Sequence, residues 1–191
     1  MEQIISKADW DLQKSAAISE ISEAIRGINH ENLEATIREI TNAKKIAVYA
    51  CGREGLTMKA FAMRLFHAGL NVTVVGEMTT PHIGTDDLLI LTCGPGGVST
   101  VKAIANQAKT SGARILYFTA QPEISPAELA DSKLFIPAQT MANDSESQNT
   151  LPMGSTFEIS LFLVCDLLVN FIKLYRQEDS AVLRARHTNM E

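Results

Sequence analysis

Lys45-Ile46-Ala47-Val48-Tyr49-Ala50-Cys51-Gly52-Arg53-Glu54-Gly55 is the stretch whose reading decides the fold. It is an apolar run of strand length, closed by a glycine turn and followed by residues that can form a helix. The same plan recurs at Asp87-Leu88-Leu89-Ile90-Leu91-Thr92-Cys93, which leads into Gly94-Pro95-Gly96-Gly97. Neither run alternates polar with apolar residues, which is the pattern of a strand buried on both faces. Strands alternating with helices predict a parallel sheet covered on both sides.

Working outward, the pattern predicts helices over 8–28 and 31–43, a strand over 46–51 and a helix over 55–68 ended by Gly69. A strand over 71–75 follows, then the strand over 88–92. Next come a helix over 98–110 closed by Gly112, a strand over 114–119, a short helix over 126–130 and a strand over 134–136. The polar stretch from Pro137 to Met153 reads as a long loop, a class of segment that often carries function. Asp179 to Arg186 reads as a last helix. The expected architecture is α/β: a three-layer αβα sandwich on a five-stranded parallel sheet in the order 2-1-3-4-5. Residues 1–43 form an N-terminal helical arm, and 44–191 the α/β domain with which the arm makes one unit. In this order strands 1 and 3 are neighbours and their helices leave on opposite faces. Ligands bind in the crevice at the carboxyl ends of such a pair, where both glycine turns lie.

The chain has 191 residues, 46 % hydrophobic and 20 % charged, the composition of an ordinary globular domain. Its net charge of −5 argues against nucleic acid, which needs a basic footprint. Three cysteines without metal-type spacing fit a reducing cytoplasm, and Met1-Glu2-Gln3-Ile4-Ile5-Ser6-Lys7 has no apolar signal region. Phe157 to Tyr175 is almost continuously apolar, yet it carries Glu158, Asp166, Asn170 and Lys173. A charge near the middle of a span costs roughly 2.5–3.5 kcal/mol on insertion. The segment therefore reads as a helix buried on most of its circumference rather than a membrane span, packed partly against another subunit.

The chemistry concentrates at the two turns. Gly94, Gly96 and Gly97 allow close backbone approach, and the helix behind them presents a partial positive charge, a combination that binds anions. Pro95 has no amide to offer, and Ser99 and Thr100 are the nearest hydroxyls. A plain tight turn is the alternative. Glu54 has three readings: an ordinary first-turn acid, a carboxylate occupying the anion site itself, or a partner for a sugar hydroxyl or a cation. Arg53 stands beside it to offset its charge. Glu158 opens the apolar helix, where Ser155 or Thr156 is the expected cap. Burial and the helix dipole push its pKa in opposite directions, as suits a general base. Cys51 and Cys93 end strands near the crevice and read as structural. His67 reads as structural, His82 as a surface loop residue, and His187 lies in a tail.

These residues resemble the sugar isomerase (SIS) domain, and within it the 6-phospho-3-hexuloisomerase branch. The resemblance runs through Lys59-Ala60-Phe61-Ala62-Met63-Arg64-Leu65, Val74-Val75-Gly76-Glu77 with Thr80-Pro81, Asp87-Leu88-Leu89-Ile90, Leu151 to Glu158, and Arg186-His187-Thr188-Asn189-Met190-Glu191. It implies a homotetramer or dimer with sites at subunit boundaries. It also implies interconversion of 3-hexulose 6-phosphate and fructose 6-phosphate, without metal or organic cofactor. Glu158 matches the family's proposed base, and His187 a C-terminal histidine that opens the ring or shuttles protons, reaching across a subunit boundary.

The family's phosphate grip is altered. Gly-Arg-Ser-Gly is Gly52-Arg53-Glu54-Gly55 here, and Ser-Gly-Ser-Gly-Glu-Thr is Cys93-Gly94-Pro95-Gly96-Gly97-Val98. Charge-assisted hydrogen bonds contribute ~1.5–3 kcal/mol each, so losing several hydroxyls predicts a changed substrate. Three readings stay open: an isomerase of an altered sugar or sugar phosphate, a hexulose-phosphate isomerase that holds phosphate through backbone amides and Arg53, and a binding or regulatory protein without catalysis.

Overall fold

The computed structural model describes residues 4–144 and 149–190. Met1-Glu2-Gln3, residues 145–148 of the expected long loop, and Glu191 lie outside the described residues. The helices are α1 (Lys7–Arg26), α2 (His30–Asn42), α3 (Gly52–His67), α4 (Ser99–Thr110), α5 (Ser155–Tyr175) and α6 (Ser180–Ala185). The strands are β1 (Ile46–Tyr49), β2 (Val72–Val74), β3 (Leu88–Thr92), β4 (Arg114–Thr119) and β5 (Ser132–Phe135). All pairings are parallel, in the order β2-β1-β3-β4-β5, as the alternation of elements predicts.

Successive strand residues point to opposite faces, and the two faces build two cores. Ile46, Val48, Leu88, Ile90, Leu116 and Phe118 pack against α2, α3 and α5 through Ile40, Phe61, Leu65, Leu161 and Leu168. Ala47, Leu89, Leu91, Ile115 and Tyr117 pack against α4 through Val101, Ala105 and Ala108. Thus α3 and α4 leave their strands on opposite faces, and the carboxyl ends of β1 and β3 form the crevice. The N-terminal arm contributes to the first core: Ile40 of α2 is fully buried, and Ile25 of α1 and Ile37 of α2 pack against it.

Element ends differ from expectation where backbone chemistry outweighs pattern. Helix α3 begins at Gly52, not at residue 55, so the first glycine turn is itself helical: the Gly55 amide donates to the Cys51 carbonyl at 3.1 Å. Gly55 permits this, since a Cβ there would stand 2.8 Å from the Ala50 carbonyl oxygen. Helix α5 starts at Ser155 without the expected hydroxyl cap; Gly154, at φ 79°, takes the cap position. Strand β5 begins two residues early because Ser132 and Lys133 pair with Leu116 and Tyr117. Helix α1 starts at Lys7, capped by Ser6 in a capping box with Asp9, and ends before Gly27 rather than at residue 28.

The apolar helix is buried along one side only. Phe157, Leu161, Val164, Leu168 and Ile172 face the core, whereas Phe162, Leu163, Leu167, Phe171 and Leu174 are exposed. Among the described residues, no helix is long and apolar enough to cross a membrane.

Candidate functional site

Three elements converge at the crevice: the first turn of α3, the end of β3 with the turn behind it, and the first turn of α5. Glu54 projects from α3 toward the end of β3. Its carboxylate accepts the Thr92 hydroxyl at 2.7 Å and the Gly94 amide at 3.0 and 3.1 Å. The Glu54 carboxylate therefore lies against the turn after β3, bonded to the amide of its first glycine. Burial pushes its pKa up and Glu158 adds to this, while the bonds from Thr92 and Gly94 pull it down; the net direction is upward.

Glu158, in the first turn of α5, lies across the cleft. Arg53 forms an ion pair with it at 2.5 Å and donates to the Ser155 hydroxyl at 3.0 Å. Arg53 is mostly exposed and Glu158 mostly buried. Desolvation raises the Glu158 pKa and Arg53 opposes it, leaving the carboxyl above its ordinary value. Glu54, Pro95, Thr140, Met141, Met153, Gly154, Phe157 and Glu158 line a small cavity of about 50 Å³. Glu158 also borders a larger cleft of about 330 Å³ with Arg53, Leu56, Thr57, Ile159 and Phe162.

The turn after β3 is held from both sides. A Cβ on Gly94 would lie 2.5 Å from the Phe157 ring, and one on Gly96 would lie 2.8 Å from Ile124. The Cys93 carbonyl accepts the Thr119 hydroxyl at 2.8 Å. Glu20 of α1 secures the other wall, accepting the Thr150 amide at 2.6 Å and the Thr156 hydroxyl at 3.1 Å.

The structure therefore brings Arg53, Glu54, Pro95 and Glu158 around one cleft, with Gly94 bonded to Glu54. Gly52 is exposed at its rim. Cys93 is buried beneath the turn, and burial, with Glu54 next, pushes its thiol up to about 11. Gly96 packs beneath the turn and Gly97 and Ser99 are exposed beyond it; none of the three lines the small cavity. His187 is not brought to the cleft of its own chain. Its ring lies 5.0 Å from that of His67, at the opposite end of α3, about 22 Å of helix from Gly52. Arg186 holds this tail by donating to the His67 carbonyl at 3.0 Å and pairing with Glu178 at 2.6 Å.

Sequence reasoning missed Thr140, Met141 and Phe157 as parts of the cleft, Thr92 as the buried donor to Glu54, and Glu20 as support for the wall. Loop length was a signal for Thr140 and Met141, since both lie in the 137–153 segment. Nothing local marks Glu20, which acts over a separation of 130 residues.

Residues 39–163 match the family model described as the SIS domain. The chain is 34 % identical over 172 residues to a 3-hexulose-6-phosphate isomerase of Mycobacterium gastri, covering 90 % of this chain and 86 % of that one. It is 31 % identical over 175 residues to a 3-hexulose-6-phosphate isomerase of Bacillus subtilis, covering 91 % and 95 %. A crystal structure from Methanococcus jannaschii, from which a 3-hexulose-6-phosphate isomerase function was inferred, superposes with a TM-score of 0.79 at 31 % identity over 96 % and 99 % of the two chains. With the sheet order, the switch-point crevice and a family model spanning most of the chain in agreement, this protein belongs to the SIS domain family.

Proposed function

We propose that this chain is an isomerase of the sugar-phosphate isomerase type, moving a carbonyl between adjacent carbons of a sugar derivative through a cis-enediol, with Glu158 as the base. The observation that carries this reading is the Glu158 carboxylate itself: largely buried, raised in pKa and facing a cleft at the switch point. A base tuned toward neutrality suits proton abstraction next to a carbonyl. Glu158 takes the C–H proton of the hydroxyl-bearing carbon beside the carbonyl, and the carbonyl oxygen takes a proton from solvent, giving the enediol. The protonated Glu158 then returns its proton to the former carbonyl carbon while the other hydroxyl gives its proton back to solvent and becomes the new carbonyl. Arg53, ion-paired with the base, holds it in place. The names of the relatives in three organisms support the same reaction class.

The cleft opens onto apolar surface. Leu56, Ile159 and Phe162 on its wall are exposed, and they continue into Met63 and Phe66 on α3 and Leu163, Leu167 and Phe171 on α5. We propose that a second copy of the chain, in a dimer or tetramer, covers this face and closes the cleft. His187 would then reach a site only from a neighbouring subunit.

The test is a coupled isomerase assay on hexulose and hexose phosphates and their free sugars, with wild-type protein and Glu158→Gln. Removing a general base is expected to lower kcat by roughly 10²–10⁴-fold with the fold intact. Full turnover in the variant would refute Glu158 as base. The second reading, binding without catalysis, is favoured by the tight Arg53–Glu158 pair, which ties up the base. It predicts ligand binding without turnover on any member of the panel.

A further inference from the structure

We propose that Glu54 is a built-in occupant of the anion cradle at the end of β3, so that this part of the site takes a hydrogen-bond donor of the substrate, a hydroxyl or an ammonium, and rejects a phosphoryl group. This rests on the reading above that the cleft is the substrate site.

Several donors of the cradle are already engaged within the chain. The Glu54 carboxylate takes both the Gly94 amide and the Thr92 hydroxyl. The next residue, Pro95, has no amide. The Gly96 amide donates to the Cys93 carbonyl at 3.2 Å, and the Val98 amide to the Gly96 carbonyl at 2.9 Å. An incoming phosphoryl group would meet a carboxylate in a partly buried space, where like charges repel more strongly than in water. The partial positive ends of α3 and α4 favour one negative charge here, and Glu54 supplies it from within the chain.

The remaining surface of this carboxylate is an acceptor. An ionised carboxylate has about four lone-pair sites, and Thr92 and Gly94 do not use them all. Glu54 shares the small cavity with Glu158, whose own charge is offset by Arg53. A wall with spare acceptor sites selects a donor: a hydroxyl of a free sugar or the ammonium of an amino sugar.

The experiment is isothermal calorimetry of the full chain with inorganic phosphate, fructose, fructose 6-phosphate and glucosamine. It uses wild-type protein, Glu54→Ser and Glu54→Gln. Wild-type protein is expected to bind fructose 6-phosphate no more than about tenfold tighter than fructose. Glu54→Ser, which frees the two donors, is expected to gain about tenfold or more in affinity for inorganic phosphate. Glu54→Gln, which removes only the charge, is expected to gain less. A wild-type preference for fructose 6-phosphate well beyond tenfold, or no gain for phosphate in a folded Glu54→Ser, overturns the proposal. If Glu54→Ser does not fold, Glu54→Gln and the wild-type comparison decide it. The fructose and glucosamine arms separate hydroxyl from ammonium. The readout is binding with Glu158 intact, so its failure is distinct from a failure of Glu158 as base, which is read by turnover.

Discussion

Gly94→Ala provides a direct test of how the site is built. Gly94 joins the end of β3 to the first turn of α5 through a single contact surface. A Cβ there would stand 2.5, 2.7 and 2.9 Å from three atoms of the Phe157 ring, and Phe157 is 1 % exposed, so the ring has no solvent into which to turn. Relief requires the ring or the strand end to move by the better part of an ångström. Overpacking of this kind costs typically ~1–3 kcal/mol. For a domain of this size each kilocalorie lowers Tm by ~2–4 °C, so a drop of about 2–12 °C is expected in a calorimetric scan. The same displacement moves Glu158, the next residue of α5, and the Gly94 amide that holds Glu54, so activity falls with stability. Gly97→Ala is the control. Its added Cβ meets nothing nearer than 3.9 Å, and its effect is expected to stay within about 0.5 kcal/mol. Phe157→Leu is expected to recover part of the Gly94→Ala loss when the two are combined, a coupling that a double-mutant cycle measures. Equal Tm values for Gly94→Ala and Gly97→Ala would refute the claim that this glycine exists to admit the ring.

Three other predictions follow from the same geometry. Burial raises the Glu158 pKa and Arg53 lowers it, so kcat/KM is expected to rise with pH along an acid limb above the ordinary glutamate range, and Arg53→Met is expected to move that limb higher still; a limb that stays put or moves down in a pH–rate profile contradicts the pairing. Asp87 is buried, and although burial raises its pKa, the Gly84 amide at 2.9 Å and Lys45 at 3.1 Å outweigh it and leave the pKa below 3.8. Its stabilisation is therefore present above about pH 3.8 and is lost as pH falls through the lower folded value. Asp87→Asn is expected to cost about 1–3 kcal/mol at pH 7 and to flatten the acid end of a stability–pH curve; a curve unchanged in shape would show that the pair contributes nothing. Phe162→Glu with Phe171→Glu places charge on the exposed apolar face of α5 and is expected to give a smaller species in sedimentation velocity; if wild-type protein is itself monomeric at micromolar concentration, the covering subunit is wrong.

Much of this protein was legible in one dimension. The unalternating run Ile46–Cys51 and its counterpart Leu88–Thr92 declared a parallel sheet because a strand covered on both faces has no use for polar residues. Two such strands followed by helices placed the crevice, since the connection rules leave few ways to arrange them. Glu158 announced itself as an acid opening an apolar helix. Helix ends were less legible: α5 is capped by Gly154 rather than by the adjacent hydroxyls, because Ser155 is taken by Arg53 and Thr156 by Glu20. Competition between distant partners cannot be read from local pattern.

The sequence by itself determined the order of elements, the layers of the core and the end of the sheet at which the chemistry lies, because these follow from periodicity and turn residues within short windows. Only the tertiary structure decided where the charges go. It set the Glu54 carboxylate on the Thr92 hydroxyl and the Gly94 amide, paired Arg53 with Glu158 and carried His187 to the far end of α3. Each of those outcomes joins residues far apart in the chain, and a side chain chooses its partner by distance and desolvation in space rather than by position in sequence.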